Sequence, residues 1–368
     1  MEKISKHQLA AMIILFQIGS TTLFELGIDA KQDAWLVILV SMIAASLLLS
    51  LFFLIQLRKP EHNLIQLLIE FFGSFLGRLA AFAYVMYFIY ESMRNVRDFG
   101  ELTIMTFLSQ TPISLIMLVM VLLSSYVVAK GIEVFFRTAE FMLPGVLLFY
   151  TLLIVMYFSS GIVRLDRLFP VLENGIGPVL KSVIQDVIWF PFGQMVLFLV
   201  YWSYLTDKGV MIKTSVRAYM VSGTIMMVIN IINIAVLGTP YTSISTVPFL
   251  QSVQLIQIAD FLERFDAFVI LLLYIGIFVK STLWYLAAAL GLGQLLNIDY
   301  RKLFIPIGGT IYFASFLEPN WTYHLWLGKI VAYKFMVNPI FILIIPALLF
   351  LLMLVKGRVS SSSGRDRT

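Results

Sequence analysis

Runs of about twenty apolar residues, broken by short polar and basic stretches, dominate the chain. Ten stand out, at roughly 9–28, 34–56, 77–100, 112–129, 139–159, 183–205, 217–237, 265–291, 303–318 and 335–355. Each approaches the ~20 residues that a helix needs to cross the hydrocarbon core of a bilayer. Residues 63–75 depart from the pattern: Leu64, Leu67, Leu68, Phe71 and Phe72 recur at helical spacing, which predicts an interfacial amphipathic helix. Two longer loops follow, at 164–177 and 239–260. The second contains an apolar, glutamine-spaced stretch at 247–258 that predicts a short helix capping the outer mouth.

Composition supports this picture. The 368 residues are 60% hydrophobic and only 13% charged, with a mean hydropathy of +0.93, which places the chain among multi-spanning helical membrane proteins. With no cysteine, disulfide and thiol chemistry are excluded. The net charge of +5 is no nucleic-acid footprint, because the basic residues sit at span ends rather than along one stripe. With the N-terminus inside, sixteen Lys and Arg fall in the inner segments and seven in the outer ones, which predicts that both termini are cytoplasmic. The opening Met1–Gln8 stretch leads into an apolar run without a small-residue cleavage site, so it is expected to be a retained first span. Residues 356–368 form a polar cytoplasmic tail, and residues 1–368 make one permease-like domain.

Pro191 and Gly193 interrupt span six within Trp189-Phe190-Pro191-Phe192-Gly193-Gln194. Proline removes a backbone donor and clashes with the preceding turn. In hydrocarbon, freed backbone groups are tolerated only where protein or a polar cavity takes them up. Ten spans divide into five plus five, with repeat one at about 9–159 and repeat two at about 183–355, so that spans one and six correspond. Span one carries its own irregular stretch, Gln17-Ile18-Gly19-Ser20-Thr21-Thr22, near its middle. Paired interruptions in two halves point to a transporter-type binding site.

Three stretches, in this order and spacing, carry a family likeness: Arg164-Leu165-Asp166-Arg167-Leu168-Phe169-Pro170-Val171-Leu172-Glu173-Asn174-Gly175, Pro191-Phe192-Gly193-Gln194, and Phe261-Leu262-Glu263-Arg264-Phe265-Asp266. Over nearly its whole length the chain resembles the B-subunit family of bacterial spore germinant receptors, the endospore germination permeases of the amino acid–polyamine–organocation superfamily. The family usually has an acid where Gln194 stands. The resemblance implies an all-α, leucine-transporter-like 5+5 inverted repeat with broken helices 1 and 6, in the inner membrane of a spore-former. It also implies a membrane A subunit and a lipoprotein C subunit as partners, and a small nutrient such as an amino acid as germinant. In the superfamily, span eight packs on the unwound part of span one.

Ionisable residues within spans are costly and mark functional candidates. Span three holds Glu91, Arg94, Arg97, Asp98 and Glu101, with Tyr87, Glu91, Arg94 and Asp98 on one stripe. Their three- and four-residue spacings predict pairing along the helix, with one negative charge left over. Lys280, deep in span eight, is expected to supply the missing positive charge by pairing with Glu91 across the cavity. Gly19, Ser20 and Thr21 would offer backbone and hydroxyl groups, and Gly193 and Gln194 the second break. Tyr87, Phe192 and Trp284 are candidates to wall the apolar part of the pocket. His7, His62 and His324 lie far apart in sequence, which argues against a metal site, and no cofactor motif or nucleophile–base arrangement suggests an enzyme. Three functions are open: a germinant sensor, a proton-coupled amino acid transporter, and a non-binding scaffold.

Overall fold

A computed structural model describes residues 2–256 and 266–362. The stretch 261–265 of the third family-like motif and the tail beyond 362 lie outside the described residues. Among those described, the chain is built of helices: α1 (Lys6–Ile18), α2 (Ala34–Arg58), α3 (Leu64–Phe72), α4 (Ser74–Thr106), α5 (Ile113–Lys130), α6 (Ile132–Ser159), α7 (Gly177–Ser182), α8 (Phe198–Tyr201), α9 (Met211–Leu237), α10 (Thr239–Ile244), α11 (Pro248–Val253), α12 (Asp266–Leu296), α13 (Phe304–Ala314), α14 (Trp321–Lys329), α15 (Val337–Pro339) and α16 (Ile345–Ser362).

Among the described residues, seven helical stretches are long and apolar enough to cross a membrane: Ile28–Arg58, Ile113–Lys130, Ile132–Ser159, Gly177–Tyr204, Lys208–Leu237, Asp266–Leu296 and Val337–Lys356. The chain is therefore a multi-pass membrane protein. Three of the apolar runs fall short of that measure for visible reasons. α1 stops after 13 residues at Gly19, α13 spans only 11, and α4, though 33 residues long, carries the charged ladder.

The amphipathic helix forms as α3. Asn63 caps it, its side chain accepting from the Gln66 amide while Gln66 reaches back to the Asn63 N–H. Leu64, Ile65, Leu67, Leu68 and Phe71 are buried, largely against α4. α11 is the short helix expected in the second loop. The first long loop is pinned to the head of α2: Gln32 donates to Pro170 O and Glu173 Oε2, and the Leu172 N–H donates to Asp33 Oδ1 at 2.9 Å.

α12 packs along α4 over much of its length, and α1 lies among α6, α9 and α12. Small residues permit these close approaches. Ser92 and Ser281 each donate to the other's backbone carbonyl, at 3.0 and 3.1 Å. A Cβ on Gly276 would come within 2.6 Å of Gly19 O, so α12 is pressed at Gly276 against the point where α1 ends.

Two chain segments are interrupted. After α1, Gly19 leads into a 3-10 turn, Ser20–Leu23, and the Thr21 hydroxyl donates to Gln17 O at 2.7 Å. After α7, a π-helical turn, Val183–Val187, gives way to turns around Pro191. A 3-10 stretch, Phe192–Leu197, then leads into α8. Both interruptions fall where the sequence places them. The far ends of these segments are tied together, with Ile4 bonding to Tyr204 and Thr206 across a short bridge.

Candidate functional site

The two interruptions face a cavity of about 260 Å3. Ser20, Phe24 and Glu25 line it from the first break, and Asp186, Phe190 and Gln194 from the second. α4 contributes Tyr90, Glu91, Arg94, Asn95 and Asp98, and α14 adds Leu325, Gly328 and Lys329. A wall lined by these four segments of chain can move only if they move relative to one another.

Glu91 organises the polar part of the wall. Its Oε2 accepts from Gln194 Nε2 at 2.9 Å, which joins α4 to the second break. Its backbone carbonyl accepts from Asn95 Nδ2 at 2.8 Å. These bonds use the amide nitrogens, and Gln194 Oε1 and Asn95 Oδ1 are left buried without a partner. Buried polar groups are rarely unsatisfied unless a ligand or water completes them.

Of the residues singled out from sequence, Ser20, Glu91 and Gln194 line the cavity. Gly19, Thr21, Tyr87, Phe192, Gly193, Lys280 and Trp284 stand behind its wall. Tyr87 and Phe16 both pack edge-on against Trp284, at 5.7 and 5.5 Å, while Phe192 packs against Tyr219. The aromatic lining of the cavity comes from Phe24, Tyr90 and Phe190 instead. Gly193 makes room for Ile342 of the last span, which a Cβ would meet at 2.9 Å.

Lys280 is fully buried and makes no ion pair among the described residues. Its ammonium lies 4.2 Å from the Phe190 ring centroid and 5.5 Å from that of Phe16, and reaches Thr21 Oγ1 at 3.4 Å. The direct Glu91–Lys280 pair anticipated from charge balance is replaced by Glu91–Gln194 and by cation–π contacts, which offset part of the cost of burying an ammonium. Lys280 thus touches both interruptions at once.

Sequence spacing also misassigns Arg94. Its neighbours on the helix, Glu91 and Asp98, do not take it. Arg94 Nη1 instead donates to Glu318 Oε1 at 2.7 Å and to His324 O at 2.8 Å. The His324 ring lies between Glu318 Oε2, 2.6 Å from Nδ1, and Asp98 Oδ1, 2.8 Å from Nε2. Arg97 and Glu101 do pair along the helix as their spacing indicates. The network fastens α14 to α4, where Gly328 passes Arg94 too closely for a side chain. α14 lies outside the apolar spans. Burial works against an imidazolium at His324, but the Asp98 charge and the bonds to Asp98 and Glu318 outweigh it and hold its pKa above the ordinary value.

Sequence reasoning missed Glu25, Asn95, Asp186 and His324. Glu25 and Asp186 are acids inside apolar runs and could have been flagged on that ground. Asn95, four residues beyond Glu91, lies on the polar stripe of α4. His324 carries no such signal, because its partners Asp98 and Glu318 come together only in the fold. Among the described residues no cluster of His, Asp and Glu suited to a metal ion is present.

Comparisons with known proteins bear on the fold and the family. MHP1, a nucleobase-cation-symport-1 family transporter solved in a closed conformation with bromovinylhydantoin bound, superposes with a TM-score of 0.62 at 12% identity, over 93% of this chain and 78% of that one. The fold is accordingly that of a leucine-transporter-type protein. Spore germination protein KB of Bacillus subtilis is 34% identical over 99% of this chain and 98% of its own length. Spore germination protein YndE of the same organism is 25% identical over 93% and 96%, and spore germination protein XB of Bacillus anthracis 20% over 74% and 77%. The family model for spore germination proteins matches residues 3–324, and the chain belongs to that family of spore permeases.

Proposed function

We propose that this chain is the germinant-sensing membrane subunit of a spore nutrient receptor. It binds a small nutrient, an amino acid or similar, in the cavity between its two interrupted helices. The observation that carries this reading is the cavity itself: Gln194 and Asn95 line it, each with a buried amide oxygen left unsatisfied, around a Glu91 that joins two segments. Counting α1, α4 and α13 with the seven long apolar stretches gives ten passages, arranged five plus five with the breaks in the first and sixth. Both termini are then cytoplasmic in the inner spore membrane. By family resemblance the partners are a membrane A subunit and a lipoprotein C subunit, with no nucleic acid, cofactor or catalysed reaction involved.

Binding would act by population shift, limited by the difference in the nutrient's affinity for the two conformations. Gly19, Ser20, Thr21, Gly193 and Gln194 form the breaks that would change, and Tyr87, Phe192 and Trp284 the aromatic packing behind them. Lys280, in contact with both breaks, would couple them. In spores that rely on this receptor alone, a nutrient panel should reveal a germinant, and Lys280→Met should abolish the response with the protein still present in the membrane. An unaltered response would exclude the coupling role.

A second reading, a proton-coupled amino acid transporter, draws on the transporter fold and the carboxylates that line the cavity. Uptake of labelled amino acids into proteoliposomes would favour it. Ligand binding by the purified chain would eliminate a purely scaffolding role.

A further inference from the structure

The cavity lining is one-sided in its spare hydrogen-bonding groups. Gln194 and Asn95 are each more than nine-tenths buried and line it. Their orientation is settled by their partners: the Asn95 amide faces a backbone carbonyl and the Gln194 amide a carboxylate, both acceptors, so in each case the nitrogen turns inward and the oxygen is left over. Glu25, also in the lining, has a buried Oε1 without a partner, its other oxygen being held by Asn233. Every unpartnered buried side-chain atom in the lining is therefore an acceptor.

The charges agree. Glu25, Asp29, Glu91, Asp98 and Asp186 line the cavity against two bases, Arg94 and Lys329. Arg94 is engaged by Glu318 and the His324 carbonyl, and Lys329 lies within electrostatic reach of Asp186. Lys280 is outside the lining. Arg94 is thus occupied, and the five acids outnumber the bases, while three unpartnered oxygens and the Glu91 carboxylate offer acceptors to N–H groups.

We propose that the ligand is bound by its ammonium group, held by Asn95 Oδ1, Gln194 Oε1 and the Glu91 carboxylate, and that a free carboxylate contributes little to its affinity. This rests on the nutrient-binding reading above and specifies its chemistry.

The test uses the full chain in nanodiscs and measures thermal stabilisation by amino acids, the corresponding amino acid amides, N-acetyl amino acids, carboxylic acids and polyols. Amides are expected to bind at least as tightly as the parent amino acids, and N-acetyl derivatives and carboxylic acids at least tenfold more weakly. Gln194→Met should weaken amide binding about tenfold or more, as expected for loss of a hydrogen bond to a charged group, and Gln194→Glu should strengthen it. Binding of N-acetyl derivatives, carboxylic acids or polyols as tightly as amines would overturn the inference and leave nutrient sensing intact. Unchanged affinity in both Gln194 variants would do the same. Absence of stabilisation by every compound would overturn the inference and the sensing reading together.

Discussion

Removing Glu318 tests how α14 is held over the cavity. Its side chain is fully buried, with Arg94 at 2.7 Å on one oxygen and His324 at 2.6 Å on the other. At an effective dielectric near 20, opposite charges about 4 Å apart attract by roughly 4 kcal/mol. Most of that attraction only offsets the cost of bringing both charges out of water, so the pair is not a large net stabiliser. Leaving one partner buried and unpaired is different, and costs about 3–5 kcal/mol. Glu318→Leu, which strands the Arg94 guanidinium, should therefore lower stability by about that amount, and Arg94→Met, which strands Glu318, by a similar amount. The double variant should cost clearly less than the sum, because neither charge is then stranded. Thermal unfolding of the three purified variants in nanodiscs would measure the cycle. Hydrogen exchange over 321–332 should rise in each single variant, since this network ties α14 to α4. Additive costs, or an unchanged exchange rate, would refute the network's role.

Three further outcomes follow from the packing and the charges. Gly276→Ala should destabilise by about 1–3 kcal/mol, since the new Cβ meets Gly19 O at 2.6 Å and neither backbone can yield. Gly145→Ala, with nothing within 4 Å, should be neutral or slightly stabilising in the same melt. The raised His324 pKa gives a signed pH dependence: its contribution is complete below the ordinary value of 6.5 and is lost as pH rises through the folded value. Melting temperature should thus fall over that range in the wild type, and His324→Gln should flatten the profile.

Much of the architecture is legible in the sequence because membrane helices are written in long apolar runs. Their interruptions are written just as locally, in Pro191 and Gly193 and in the Gly19-Ser20-Thr21 stretch. α3 is likewise visible from its own spacing and its Asn63–Gln66 cap. What escapes is the choice of partner. Helical spacing makes Glu91 and Asp98 available to Arg94, yet burial brings in Glu318, 224 residues away, with better geometry. Charge balance suggests Lys280 for Glu91, but a neutral amide, Gln194, is the group within reach. The aromatics are misassigned for a related reason. Tyr87, Phe192 and Trp284 face the core, and nothing in their spacing separates that from facing a cavity. Asn95 shows the general limit, because an uncharged amide becomes conspicuous only once its oxygen is seen to lack a partner.

Glu91, joined to Gln194, lines the cavity proposed to hold a small nutrient. Equilibrium binding of the germinant identified in spores to the purified chain in nanodiscs, wild type against Glu91→Leu, tests it most directly. Saturable binding at one site per chain is expected, lost in the variant while the chain remains folded. Absence of saturable binding to the wild type, or equal affinity in the two, would contradict it.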